Sequence, residues 1–292
     1  MKKLPAAVLC TPIDLERHAV LDLLEGHEFI DHEIGGNVYR QTEFEGPQGS
    51  WNLVLAMTGR GNERAAAAAE HALSLWRPQI LVLCGVAGGR RDARIGDVVA
   101  ATKVYGYETG QDTDAGLLPR PDSLPASYAL LQRAQLISEN GAWAARLDTP
   151  TPRIFHRPIA SGSKVITGNN SATADLLAQN SGDAQAVDTE SYGAMIAASR
   201  RSAVEATVVR GISDLIGDKT KTADKIRQPL AARNAAAFAL ALIARSKPKK
   251  AEIRPLAGGS GTTYIGAVGN GATANIAAMG ERARGRIVFN DQ

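Results

Sequence analysis

Three carboxylates flank two apolar runs late in the chain. Asp188 and Glu190 follow Ala186-Val187 at the start of a helical stretch, and Asp214 closes Val208-Val209-Arg210-Gly211-Ile212-Ser213. Acids at a strand-to-helix junction, and just past a strand end, occupy the places where open α/β sheets hold their ligands. Glu16 lies just after the first apolar run. Three glycine-rich edges accompany these acids: Thr58-Gly59-Arg60-Gly61-Asn62, Gly85-Val86-Ala87-Gly88-Gly89 and Gly162-Ser163-Lys164-Val165-Ile166-Thr167-Gly168. A strand end without side chains lets backbone N–H groups approach a ligand closely. Each feature also has a structural alternative. An Asp after a strand serves as a turn or N-cap residue, an acid at a helix start partners the helix dipole, and glycines make tight turns.

The elements that must position these residues follow from periodicity. Ala6 to Cys10 reads as a short buried strand and Asp14 to Glu25 as a helix with Asp14 as its N-cap. Val38 to Glu45 and Trp51 to Met57 alternate as paired strands across Gly46-Pro47-Gln48-Gly49. Glu63 to Trp76 is an alanine-rich helix, and Gln79 to Cys84 a continuously apolar strand that the glycine edge ends. Asp97 to Tyr105 and Arg153 to Ser161 are extended, Gly106 to Ser123 a polar surface loop or lid, and Ala126 to Glu139 and Ser171 to Gln179 helices. Ala206 to Val209 is a strand, and Thr222 to Ser246 the last helix before Lys247-Pro248-Lys249-Lys250. The alternation predicts an α/β domain over residues 1–246, with a mixed, largely parallel sheet between helix layers.

Composition narrows the partners. The 292 residues are 44% hydrophobic and 22% charged, with a formal charge of +3, so nothing points to nucleic acid. Apolar runs fall short of the roughly 20 residues that span a bilayer, and the N-terminal run is too short for a signal peptide, so no membrane partner and a cytoplasmic location are expected. Cys10 and Cys84 both end apolar runs and read as buried free thiols. There is no metal-ligand spacing, no G-x-G-x-x-G after the first strand and no Walker motif; neither metal nor cofactor is expected. The five histidines are scattered, and Trp51, Trp76 and Trp143 read as core or interface.

In order and spacing, Cys84-Gly-Val-Ala-Gly-Gly with Ile95-Gly-Asp-Val-Val, Ala186-Val-Asp-Thr-Glu and Val209-Arg-Gly-Ile-Ser-Asp214 resemble the nucleoside phosphorylase and nucleosidase superfamily. The chain is most similar to its methylthioadenosine/S-adenosylhomocysteine nucleosidase branch, over about residues 5 to 246. The resemblance implies a three-layer α-β-α fold and cleavage of a purine–ribose bond. It implies Asp214 as general acid at purine N7, Glu190 holding the ribose hydroxyls and Glu16 activating water. Val165 and Ile166 match the edge that reads the base, and Thr189, Val86, Ala87, Gly88 and Arg210 fall at further substrate positions. A dry pocket suits the acid, because burial disfavours its charged form.

Departures from the family pattern bear on the reaction. Phosphorylases grip phosphate with an Arg three residues before a Ser at the glycine edge; here those positions are Leu83 and Val86. That favours water over phosphate as nucleophile, although Arg17 and Arg60 could restore part of a phosphate site. Thr189 stands where the nucleosidases usually carry Met, which leaves the 5′-substituent open. Arg90, Arg91 and Arg94 read either as a solvated basic loop or as a 5′-phosphate clamp for a nucleotide.

Beyond a basic linker at residues 247–256 the composition changes. Residues 257–292 hold eight glycines among short β-prone runs such as Thr262-Thr263-Tyr264-Ile265. Such runs pair between chains through unsatisfied edges, so an assembly or regulatory segment is one reading and a flexible tail or small packed sheet the other. The expected protein is a homo-oligomeric purine nucleosidase, acting on a nucleoside or nucleotide and serving as a defence or signalling effector. A phosphate-dependent phosphorylase and a nucleoside-binding sensor are the alternatives.

Overall fold

Burial along the first strand sets the layers. In β1 (Ala6–Thr11), Ala7 and Leu9 enter one core cluster while Val8 and Cys10 enter another. β5 (Ile80–Gly89) repeats this, with Ile80, Val82 and Cys84 on the first face and Leu81 and Leu83 on the second. A strand buried on both faces needs a helix layer on each. The first layer holds α1 (Asp14–Leu23), α3 (Tyr128–Asn140) and α6 (Lys221–Ala244). The second holds α2 (Asn62–Trp76) and α5 (Ser191–Ser199). The computed structural model describes residues 4–249 apart from 115, 148–150, 169, 219 and 220; the 257–292 extension therefore lies outside the described residues. The fold is the three-layer mixed α/β architecture expected. Among the described residues no helix is long and apolar enough to cross a membrane.

The remaining strands are β2 (Ile30–Ile34), β3 (Asn37–Gly46), β4 (Gly49–Met57), β6 (Val98–Gly106), β7 (Gly110–Thr113) and β8 (Gly116–Pro119). β9 (Asp122–Pro125), β10 (Ile154–Ser161), β11 (Ala186–Asp188) and β12 (Glu205–Leu215) follow, with α4 (Ala172–Asn180) between β10 and β11. The large sheet runs β11-β10-β6-β12-β5-β1-β4-β3-β2. It also turns back on itself, because Ala186 and Val187 of β11 pair with Gly89 and Gly88 of β5. β5, β12, β6, β10 and β11 thus form a closed ring, and β1 to β4 continue from it as an open sheet.

Four elements depart from the sequence expectation. β5 does not end at Cys84 but runs through Gly89, since β12 and β11 supply main-chain partners along the glycine stretch. β12 likewise continues past Val209 to Leu215, with a bulge between Ile212 and Asp214, so Asp214 is inside a strand rather than beyond it. The polar stretch 106–123 is not plain loop: it holds the β7–β8 hairpin and leads into β9, which pairs with β6. β2 carries no apolar signal because it is the sheet edge, with most of its residues exposed.

The alanines of α6 let it approach the ring closely. Ala231, Ala232, Ala235, Ala236 and Ala239 are buried beneath it, and a Cβ on Gly211 of β12 would collide with the Ala231 backbone carbonyl. Backbone cannot rotate aside as a side chain can. Gly211→Ala is therefore expected to destabilise the fold by about 1–3 kcal/mol, the usual cost of overpacking; an unchanged denaturation midpoint would refute this close packing.

Candidate active site

Glu16 is placed by helix α1. It sits in the first turn, and its Oε2 accepts a hydrogen bond from the Ile13 N–H at 2.8 Å. Such a carboxylate reaching back to the N-cap amide is half of a capping box, and Ile13 rather than Asp14 holds the N-cap position. Glu16 Oε1 accepts a second bond from the Val86 N–H of β5, also at 2.8 Å. Gly85 makes this possible, since any Cβ there would meet both the Glu16 carboxylate and the Arg210 guanidinium. Burial pushes the Glu16 carboxyl up to about 7, against the pull of Arg210 and the two amides. An acid that titrates near neutrality is suited to moving a proton.

Beneath it lies a buried charge cluster. Arg210 is fully buried; its Nε donates to Asp188 Oδ2 at 2.7 Å and its Nη2 to Glu190 Oε2 at 3.2 Å. Its Nη1 lies 3.9 Å from Glu16 Oε1 and has no hydrogen-bond partner among the described residues. Burial alone would lower the guanidinium pKa, but the carboxylates of Asp188, Glu190 and Glu16 outweigh it and hold the group charged. Asp188 does the structural work for α5: its Oδ1 accepts from the Ser191 N–H at 3.1 Å and its Oδ2 from the Ser191 hydroxyl. Glu190 Oε1 accepts from the Gly61 N–H at 3.1 Å and from the Thr189 hydroxyl. The glycine loop before α2 and the start of α5 are thereby joined through one carboxylate.

Asp214 lies at the bulge of β12, buried, and accepts from the Ser213 hydroxyl at 2.8 Å. That hydroxyl is a rotor. The Ala87 carbonyl, 3.5 Å away, is its alternative acceptor.

A cleft of about 240 Å³ opens over these acids. Glu16, Glu190 and Asp214 line it, as do Val86, Ala87 and Gly88 from the glycine edge of β5. Thr189, Val165 and Ile166 line it too, so most of the sequence-selected residues converge on one cavity. Glu108 steadies the irregular stretch carrying Val165: its Oε2 accepts from the Ser163 N–H at 2.6 Å, and its Oε1 is 3.4 Å from Lys164 Nζ. Among the described residues no cluster of His, Cys, Asp and Glu is arranged to hold a metal ion.

Four selected residues lie elsewhere. Arg210 does not line the cleft; it sits under it as the counter-charge of three acids. Arg90, Arg91 and Arg94 do not form a clamp there. Arg90 Nη1 donates to the Ser181 and Ala184 carbonyls at 2.6 and 3.3 Å, and Arg91 Nη1 to the Gly182 carbonyl at 2.7 Å. Their guanidinium groups fasten the connection ahead of β11, and Arg94 is exposed outside the cleft. Among the described residues, the cations that do line it are Arg60 and Lys164. Asp224 and Gln228, one turn apart on α6, also line it and were not selected from sequence. Their signal was an acid in the first turn of a helix, which is too common to single out.

The chain belongs to the phosphorylase superfamily, whose model matches residues 6–244 and so covers the ring, its appended sheet and the cleft. Among characterised relatives it is 27% identical over 188 residues to an ATP nucleosidase, Cap17, of Escherichia coli (strain KTE188). That match covers 58% of this chain, which spans only 37% of that relative's length. It is also 27% identical over 212 residues to a 5′-methylthioadenosine/S-adenosylhomocysteine nucleosidase of Glaesserella parasuis serovar 5 (strain SH0165), covering 68% of this chain and 84% of that one. Among solved structures, futalosine hydrolase of Helicobacter pylori strain 26695 superposes with a TM-score of 0.70 at 18% identity, covering 83% of this chain and 99% of that chain. The 5′-methylthioadenosine/S-adenosylhomocysteine nucleosidase of Neisseria meningitidis gives a TM-score of 0.67 at 17% identity, covering 82% and 99%.

Proposed function

We propose that the protein hydrolyses the N-glycosidic bond between an adenine-type base and ribose. The observation that carries this reading is the convergence of Glu16, Glu190 and Asp214 on one cleft, with Glu16 buried and titrating near 7. Asp214 delivers its proton to purine N7 as the C1′–N9 bond breaks, so that the bond's electron pair leaves with a neutral base. Glu190 holds the ribose hydroxyls, and its charge stabilises the cation developing on the sugar. Glu16 takes a proton from the water that adds to C1′, and the buried Arg210 guanidinium, its Nη1 3.9 Å from Glu16 Oε1, offsets the charge of the carboxylates beneath the cleft. Products are free base and free sugar; the proton lost by Asp214 and the one gained by Glu16 re-equilibrate with solvent.

Water is favoured over phosphate because Leu83 is buried in the core and Val86 presents only an apolar side chain to the cleft. The adenine preference is supported by the two relatives named as an ATP nucleosidase and a methylthioadenosine/S-adenosylhomocysteine nucleosidase. Base release from adenosine, followed with and without inorganic phosphate, tests the reading. Release is expected to be independent of phosphate and to yield ribose; a strict phosphate requirement with ribose 1-phosphate as product would establish a phosphorylase instead. Binding without turnover would establish a sensor.

A further inference from the structure

We infer that Arg60 makes the cleft selective for substrates carrying a phosphate on the ribose 5′ carbon, an inference that rests on the hydrolase reading above. Among the described residues that line the cleft, Glu16, Asp188, Glu190, Asp214 and Asp224 are acidic, and Arg60 and Lys164 are the two cations. An anionic substituent enters such a site only beside a cation. The two cations are not equivalent. Lys164 lies beside the base edge and already pairs with Glu108 at 3.4 Å. Arg60 is exposed at the cleft and makes no hydrogen bond or ion pair with any described residue.

The backbone fixes where Arg60 sits relative to the sugar. Gly59 and Gly61 on either side both have positive φ, 73° and 97°, so the loop turns sharply through Arg60. The Gly61 N–H binds Glu190 Oε1 at 3.1 Å. With Glu190 holding the 2′- and 3′-hydroxyls, Arg60 borders the ribose and not the base. Asp214 and the Val165–Ile166 edge mark the base end, so the substituent on C5′ is the part of a nucleoside that faces Arg60. A guanidinium offers a phosphate a forked pair of charge-assisted bonds, whereas a hydroxyl or thioether there leaves it unpaired.

The experiment compares kcat/KM for adenosine, 5′-methylthioadenosine and AMP in the native protein, Arg60→Ala and Arg60→Glu. The native protein is expected to favour AMP over both neutral nucleosides. Arg60→Ala is expected to lower the AMP-to-adenosine ratio by about 10- to 100-fold, the scale of a charge-assisted bond plus an anion left facing acids. Arg60→Glu should lower it further, and the AMP loss in the native protein should grow with salt. Adenosine turnover in each variant reports that the fold and the acids are intact. Equal losses for AMP and adenosine, or a native preference for a neutral nucleoside, overturn the assignment of Arg60 while leaving the hydrolase reading standing. No base release from any of the three overturns both.

Discussion

Asp214→Asn is expected to cut release of free purine, lowering kcat by about 10²- to 10⁴-fold, the range attributable to a positioned general acid. The substitution keeps the shape of the side chain and an oxygen able to accept from Ser213, so substrate binding is expected to change little. The effect falls on kcat, because the proton is needed only as the glycosidic bond stretches and charge builds on the base. Asp214 is held for this by the bulge between Ile212 and Asp214 and by the absence of a side chain on Gly88, where a Cβ would stand 3.3 Å from Asp214 Oδ1. Steady-state kinetics with a binding measurement on a non-cleavable analogue separate the two quantities. A variant that binds and turns over near the native rate would remove Asp214 from the mechanism.

Glu16 supplies the second large effect, and it is visible without mutation. Burial is the main cause of its raised pKa of about 7, and the group acts on water only as a carboxylate. Activity should therefore rise with pH and level off above about 7, with kcat/KM about 100-fold lower at pH 5 than on the plateau. Glu16→Gln should lower kcat by about 10²- to 10⁴-fold and abolish that acidic limb. A flat native profile between pH 5 and 8, or a limb that survives in Glu16→Gln, would show that another group activates the water. Stability carries the opposite sign. A carboxyl whose folded pKa is raised stabilises fully below its ordinary value of 4.5, and that contribution is lost as pH rises through about 7. The pH that best suits hydrolysis is thus one at which this residue opposes folding.

The sequence made the alternation of strands and helices legible because each buried element carries its own period: Gln79 to Cys84 is apolar throughout, and the leucines of α1 recur at helical spacing. It also placed the acids in the right neighbourhood, since an acid beside a glycine edge is unusual inside an apolar run. What could not be read was which main-chain groups find partners. The glycine-rich stretch from 85 to 89 looks like a turn locally; it forms strand because β12 pairs along it and β11 closes the ring at Gly88 and Gly89, both from about a hundred residues away or more. The choice between the two readings open for the arginines also depended on distant main-chain groups. Arg90 and Arg91 have the right chemistry for phosphate, but carbonyls at Ser181, Gly182 and Ala184 reach them first. Arg60, flanked by two glycines, carries no periodic signal; its standing comes from the Gly61 bond to Glu190, a contact between residues far apart in the chain.

The closed ring has a consequence for motion. β5 is bonded to β12 from Ile80 to Gly89, to β1 over Ile80 to Leu83 and to β11 at Gly88 and Gly89, so strands flank both edges at its two ends while Val86 and Ala87 between them pair with β12. Local opening of a segment requires breaking its hydrogen bonds, and one paired on both sides opens only with the surrounding structure. The glycine edge of the cleft is therefore anchored by strand pairing before and after it. The stretch from Gly162 to Gly168, by contrast, belongs to no strand or helix and exposes Ser163, Lys164 and Val165. On the reading proposed above, the proton-transfer groups stand on helix and strand, and the part that meets the base belongs to neither.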